Sequence, residues 1–209
     1  MIHHAEFPNE THTTNFNVEF YGDSIYTTVT DDCDAVSDWI SEVESIHRCR
    51  LHHLIVGLDV EWRPPFSRLP NPIAILQLCV GRRCLIYQII HSQGIPFSLS
   101  RFLSNSNYTF VGVGIESDLE KLEQDYGLGS NVKSVDLRDL AAYEFGNRDL
   151  KCKGLKDLAS FVLNKEVDKP RWVTLSGWDN RRLTYDQVEY ACLDAFVCFE
   201  MGRMLNASR

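Results

Sequence analysis

Residues 54–62 read Leu54-Ile55-Val56-Gly57-Leu58-Asp59-Val60-Glu61-Trp62, a nearly continuous apolar run that ends in two carboxylates set two positions apart. Such a run is the pattern of a central strand buried on both faces. Its acidic end is the anomaly. In a strand Asp59 and Glu61 project from one face, roughly 7 Å apart along the backbone. Two like charges there repel one another, and the apolar run behind them raises the desolvation cost, so a bound cation is the natural reading and a solvated strand end the alternative.

The segments on either side predict α/β alternation around that strand. Residues 16–29 alternate apolar and polar about Gly22-Asp23, as in a hairpin with a two-residue turn. Asp31 to Asp34 can cap a helix with Val36, Trp39, Ile40, Val43 and Ile46 on its buried face. After Pro64, Pro65, Pro70 and Pro72, residues 73–80 and 84–88 read as strands joined by Gly81-Arg82-Arg83, extending a mixed sheet. Residues 109–113 and 132–135 read as further strands, and 116–126, 137–144 and 155–163 as helices. Residues 165–183 carry Trp and charge without periodicity. Thr184 with Gln187 three positions on forms a capping box for a last helix reaching about Leu205.

At 209 residues the chain has the length of one compact domain, expected over 16–209 behind a flexible tail at 1–15. His3, His4 and His12 in that tail lack anything to fix a metal geometry. A net charge of −8 argues against coating nucleic acid by diffuse positive charge, so polyanion binding would need divalent metal to bridge carboxylates to phosphate. Seven cysteines without a C-x-x-C pair fit neither a disulfide framework nor a zinc ribbon. The start of the chain resembles no signal peptide or presequence and no segment has the length of a membrane span, so the expectation is a cytoplasmic or nuclear protein with no membrane partner.

Two further features carry chemistry. Residues 111–118, Val-Gly-Val-Gly-Ile-Glu-Ser-Asp, run from a strand through two glycines into a helix. The third glycine of a dinucleotide fingerprint is missing, and Asp118 in the first helical turn has the helix dipole as its bland explanation. Tyr190 and Asp194 lie four apart on one face of the last helix. Lys151, Lys153 and Lys156, and later Lys169, Arg171, Arg181 and Arg182, are candidate phosphate contacts, with solvated surface charge as the alternative. Trp62 is placed either to stack on a base or to pack in the core, and Trp172 and Trp178 read as a pair packing the long loop.

Taken in order, these pieces resemble the Werner-type branch of the DEDDy 3′→5′ exonucleases, in particular its small stand-alone plant-type members. Residues 58–62 are similar to the first motif and 73–78, with Gln77, to the strand that follows. Residues 112–122 are similar to the second motif, with Asp118 as its aspartate, and 190–194 to the third, where a tyrosine four positions before the aspartate marks the branch. Gly154 to Ala159 and Ser176-Gly177-Trp178 match the run between motifs, so the resemblance covers about residues 54–205. It implies a ribonuclease H-like, DnaQ-type exonuclease fold, a mixed β-sheet flanked by helices.

The resemblance also implies an activity: hydrolysis of phosphodiester bonds from the 3′ end of single-stranded nucleic acid, RNA favoured over DNA. Asp59, Glu61, Asp118 and Asp194 would hold two divalent ions, Mg²⁺ or Mn²⁺, with Asp59 bridging and Asp118 acting through water. Tyr190 would orient the attacking water, because a phenol is a poor base at neutral pH. Trp62, Lys151, Lys153 and Arg171 are the candidate substrate contacts. The implied partner is single-stranded RNA or DNA with a free 3′ end. The chain would act alone, as a homo-oligomeric ring such as a hexamer, or recruited by a protein partner. A catalytically diverged nucleic-acid-binding or adaptor module on the same fold is the alternative.

Overall fold

The computed structural model describes residues 12–65 and 70–208. Seven strands, β1 (Thr13–Phe20), β2 (Asp23–Thr30), β3 (Leu54–Glu61), β4 (Ile75–Val80), β5 (Arg83–Tyr87), β6 (Tyr108–Gly112) and β7 (Ser134–Asp136), form one mixed sheet. Its order is β1-β2-β5-β4-β3-β6-β7, so β3, the apolar run with the acidic end, lies inside the sheet. β3, β4 and β5 pair antiparallel, while β6 and β7 join β3 in parallel through helical crossovers. The helices are α1 (Cys33–Ile46), α2 (Phe97–Leu103), α3 (Ile115–Tyr126), α4 (Leu137–Glu144), α5 (Leu155–Leu163), α6 (Arg171–Thr174) and α7 (Tyr185–Met204). Among the described residues no helix is long and apolar enough to cross a membrane.

The first hairpin turns at Tyr21-Gly22, not at Gly22-Asp23, because Phe20 pairs with Asp23. Both turn residues have positive φ, 48° and 86°, the backbone of a type I′ turn whose twist suits a tight hairpin. Tyr21 accepts the left-handed conformation while its ring packs edge-on against Phe20 at 4.9 Å. β1 begins at Thr13, so residues 13–15, expected in the tail, belong to the sheet. His12 is tied down through its N–H, 2.6 Å from the Asp31 carboxylate. The rest of the expected tail, with His3 and His4, lies outside the described residues.

α1 starts at the cap Asp32 and buries Val36, Trp39, Ile40 and Val43, but Ile46 is 54 % exposed at its last residue, off the buried face that the period suggested. α2 has no counterpart in the sequence reading. It is a seven-residue helix following Pro96, without a side-chain cap, and Phe102 anchors it against Trp39, Tyr108 and Phe110 at ring separations of 5.1 to 6.3 Å. The capping box at Thr184 and Gln187 is present at the start of α7.

α7 crosses β3, β4, β5 and β6, with α4, α5 and α6 also packed against it, and every residue from Tyr190 to Phe199 is buried. A helix covered on all sides loses the usual amphipathic stripe. The closest approach is at Gly57. A Cβ there would stand 2.0 Å from the Ala195 carbonyl oxygen and 2.8 Å from the Phe199 nitrogen, so β3 and α7 meet backbone to backbone. Gly57, Asp59 and Glu61 share one strand face, so this contact also brings Asp194 beside the acidic end of β3.

Gly57→Ala is expected to force the two elements apart and destabilise the protein by about 1–3 kcal/mol or more, an overpacking cost. Gly94→Ala, whose Cβ would meet nothing within 4 Å, should leave stability within about 0.5 kcal/mol of wild type. Urea denaturation of both variants checks the difference.

Candidate active site

Two elements deliver the centre. β3 ends with Asp59 and Glu61, and α7 presents Asp194, 1 % exposed, from its middle. One carboxylate oxygen from each of Asp59, Glu61 and Asp194 lies within 4.8 Å of the others. Asp118 comes from the first turn of α3, one step outside that trio, and its charge is felt by both Asp59 and Glu61. The four sequence-predicted carboxylates therefore converge from three elements.

The position of Asp118 is fixed by residues that the sequence reading missed. The Gly114 N–H at the start of α3 donates to Asp136 Oδ2 at 3.0 Å. Asp136 also caps α4 by accepting from the Arg138 N–H, and takes the Arg138 guanidinium at 2.6 to 3.2 Å. One carboxylate thus ties the entry of α3 to β7 and α4. Its position immediately before the expected helix at 137–144 was the available signal for a cap.

Burial is the largest force on every acid here. It lifts the Asp59 carboxyl well above the usual range, and Asp194, Asp118 and Glu61 add repulsion. It lifts Glu61 to about 8, with Asp194 contributing, and Asp118 to about 7, with Asp136 contributing and Arg138 opposing. Asp194 is raised by burial against the pull of Lys169. The Lys169 ammonium donates to Asp194 Oδ2 at 2.6 Å. Burial alone would lower its pKa, but Asp194 and Asp59 outweigh that and hold it raised. One ammonium cannot offset four carboxylates, so without further cation some of these acids hold their protons at neutral pH.

The donor set fits a divalent metal. Asp194 Oδ1 is buried without a hydrogen-bond partner, and so are both amide atoms of Gln77, which sits opposite Asp59 in the β3–β4 register. Orphaned buried oxygens beside clustered carboxylates are what a bound ion or ordered water satisfies. All the ligand atoms are hard carboxylate oxygens, the preference of Mg²⁺ and Mn²⁺.

Tyr190 lies one turn before Asp194 on the same helix face. Its hydroxyl accepts from Thr174 Oγ1 at 3.2 Å, its ring lies 5.7 Å from that of Trp178, and the Lys169 ammonium stands 4.6 Å from the ring centre. Burial, reinforced by Asp194, raises its pKa, so the phenol is protonated at neutral pH and is built to hold and orient.

The candidate substrate contacts are dispersed. Trp62 follows the trio directly, partly buried, with the Lys121 ammonium 5.2 Å from its ring centre. Lys151 pairs with Asp139 at 2.7 Å and Lys153 with Asp157 at 3.9 Å, both at the surface. Arg171 is exposed at the first turn of α6. Arg181 reaches Asp31 at 3.6 Å. Trp172 and Trp178 do not act as a pair: Trp178 is fully buried and donates its indole N–H to the Thr174 carbonyl, whereas Trp172 is 63 % exposed. Trp172 lies on the short helix α6, whereas Trp178 follows in the loop beyond it.

An acidic, metal-fitted centre at the end of a central strand, on a ribonuclease H-like sheet, is the plan of a nuclease domain. The chain matches the 3′-5′ exonuclease family over residues 26–207, and it belongs to that family. It is 34 % identical over 193 residues to a 3′-5′ exonuclease of Arabidopsis thaliana, covering 90 % of this chain and 65 % of that protein. It is also 34 % identical over 188 residues to the bifunctional 3′-5′ exonuclease/ATP-dependent helicase WRN of Mus musculus, covering 86 % of this chain and 12 % of that one. The chain thus spans about two thirds of the first relative and a small part of the second. Its fold is similar to that of Escherichia coli RNase D, an exoribonuclease involved in structured RNA processing, at a TM-score of 0.70 and 20 % identity over 86 % of this chain and 44 % of that one.

The raised carboxyls set a pH dependence. With Glu61 at about 8 and Asp118 at about 7, the native state binds more protons than the unfolded chain above the ordinary carboxyl pKa. Stability of the metal-free protein is therefore expected to fall as pH rises through about 7–8, while Mn²⁺ affinity rises over the same window because the ligands must ionise. Calorimetry in buffers of different ionisation enthalpy should show Mn²⁺ binding releasing protons near pH 6.5 and progressively fewer above about 8.5.

Proposed function

We propose that this chain removes nucleotides one at a time from the 3′ end of single-stranded nucleic acid, RNA in preference to DNA. The observation that carries the reading is the convergence of Asp59, Glu61 and Asp194 within 4.8 Å, with Tyr190 one helical turn before Asp194. Membership of the 3′-5′ exonuclease family supports the direction of attack. The likeness of fold to an exoribonuclease favours RNA, a choice that a contact to the 2′-hydroxyl would enforce.

Asp59, Glu61 and Asp194 would hold one Mg²⁺ or Mn²⁺ ion, and Asp59 with Asp118 a second. When bound, such ions supply Lewis-acid stabilisation of the attacking and leaving oxygens of a phosphodiester. The chain's own residues do the positioning. Tyr190, kept protonated and braced by Thr174, orients the attacking water rather than deprotonating it. Gln77, opposite Asp59 on the neighbouring strand with both amide atoms unpaired, is placed to bond a ligand or water at the Asp59 side of the centre. Asp136 and Arg138 fix the entry of α3 and with it Asp118. Trp62, Lys151, Lys153 and Arg171 are the candidate flanking contacts to the strand, the two lysines only on leaving their surface pairs with Asp139 and Asp157, with a homo-oligomeric ring or a recruiting protein supplying basic surface that one acidic subunit lacks.

The test is metal-dependent shortening of 5′-labelled single-stranded RNA and DNA. A ladder from the 3′ end is expected with Mn²⁺ or Mg²⁺, faster on RNA, and absent with chelator or in Asp59→Ala. Tyr190→Phe should slow the reaction by about 10²-fold or more with Mn²⁺ affinity unchanged, the signature of a group that orients water. Retention of the strand with no ladder in any metal would instead assign the chain a binding role.

A further inference from the structure

Lys169 does not belong to the set of carboxylates, yet its ammonium is bonded to one of them. It stands 2.6 Å from Asp194 Oδ2, lies against the face of Tyr190, and acts on Asp59, Glu61 and Asp118 as well. The charge arithmetic explains why it is there. Four carboxylates gathered from β3, α3 and α7 need positive charge, and in the absence of metal Lys169 supplies it to Asp59, Glu61 and Asp194, with Arg138 ahead of it at Asp118. The same arithmetic changes when metal enters. Two divalent ions already balance four carboxylates, and a divalent ion taking oxygens of the Asp59, Glu61 and Asp194 trio must do so beside or in place of an ammonium already bonded to one of them. Like charges crowded into one buried site repel strongly.

The local backbone permits the ammonium to leave. Lys169 lies in an extended stretch between the buried Val167 and Pro170, the cap of α6, and its side chain is 26 % exposed on a flexible four-carbon stem. A cavity of about 530 Å³ adjoins it, with Tyr190 and Pro170 in its wall. Its rim carries Glu19, Glu166, Asp168, Asp186 and Glu189. That acidity repels a phosphodiester strand, but it suits an ammonium displaced from the neighbouring site.

We propose that Lys169 is a latch with two seats: it fills the metal centre as an internal counter-cation when the centre is empty, and divalent metal drives it out toward the acidic cavity. The latch holds the carboxylates together without metal and lowers apparent metal affinity by the fraction of molecules in which it is seated. It rests on the metal-site reading above, and it makes that site selective, since a monovalent cation gains little by replacing an ammonium of equal charge.

The test needs no nucleic acid. The full chain is treated with an amine-reactive acetylating reagent with and without millimolar Mn²⁺, and the extent of modification at each lysine is read by peptide mass spectrometry. Lys169 should be protected without metal and become about tenfold more reactive with it, while the exposed Lys151 reacts equally in both and serves as the internal reference. Lys169→Met should bind Mn²⁺ about tenfold more tightly than wild type by calorimetry, and melt at lower temperature without metal. Lys169→Arg, which keeps the charge, should restore the wild-type affinity. Unchanged protection of Lys169 in a protein that demonstrably binds Mn²⁺, or no gain in affinity in Lys169→Met, would overturn the latch and leave the exonuclease reading intact. No Mn²⁺ binding in either wild type or Lys169→Met would remove both.

Discussion

The backbone contact between β3 and α7 is the constraint on which the rest of this structure depends. Gly57 leaves no side chain between the strand and the Ala195 carbonyl, and the space a Cβ would need is already filled to 2.0 Å. Two residues further along the strand comes Asp59, and one residue before Ala195 comes Asp194. A larger separation of the two elements would spread the carboxylates until each could be hydrated separately. Held as they are, the acids share one field, and the chemistry of the site follows from that enforced proximity.

Proximity of this kind works against folding. Burying an unpaired carboxylate costs several kcal/mol, and a domain of ordinary stability has only about 5–15 kcal/mol in total. The chain limits the damage in three ways. Raised pKa values let Glu61 and Asp118 keep protons near neutrality. Lys169 supplies an ammonium to Asp194, and the Arg138 guanidinium neutralises Asp136 behind Asp118. The remaining strain is carried by the sheet and α7, whose apolar side chains from Leu54 to Val60 and from Tyr190 to Phe199 are buried on both sides. What is left unsatisfied, such as Asp194 Oδ1, is a reserve of favourable interaction that a bound ion or ordered water can collect.

The sequence disclosed those parts whose signal is local. β3, α4, α5 and the capping box of α7 were readable from apolar runs, periodicity and cap chemistry, and the paired carboxylates from their place at the end of an apolar strand. The sheet order was not readable, because it depends on which long-range pairs form and not on any short window. α2 escaped because it is seven residues long and held by Phe102 against aromatics from α1 and β6, not by its own periodicity. The turn at Tyr21-Gly22 was displaced by one residue since a tyrosine at positive φ is disfavoured unless its ring finds a partner. At the site, Asp136 was hidden and Lys169 was read as a candidate phosphate contact for one reason: each acts through a residue distant in sequence, Asp118 or Asp194, and a charge looks like surface charge until its partner is placed.

The basic side chains that sequence reading offered as phosphate contacts are largely engaged already. Lys151 and Lys153 face Asp139 and Asp157, Lys169 is bonded to Asp194, and Arg181 faces Asp31. A chain with net charge −8 and its cations tied to neighbouring carboxylates has little to offer the body of a polyanion. Diffuse binding along a strand releases counterions in proportion to the phosphates neutralised, which requires free lysines and arginines in a row. At the carboxylate centre, bound divalent ions would cancel the charge of the four acids and offer a phosphate direct metal contact. Recognition then falls on the few phosphates that reach this centre, where β3, α3 and α7 meet. An acidic composition, which at first argues against nucleic acid, is compatible with a site that acts through local metal contacts and not through diffuse positive charge.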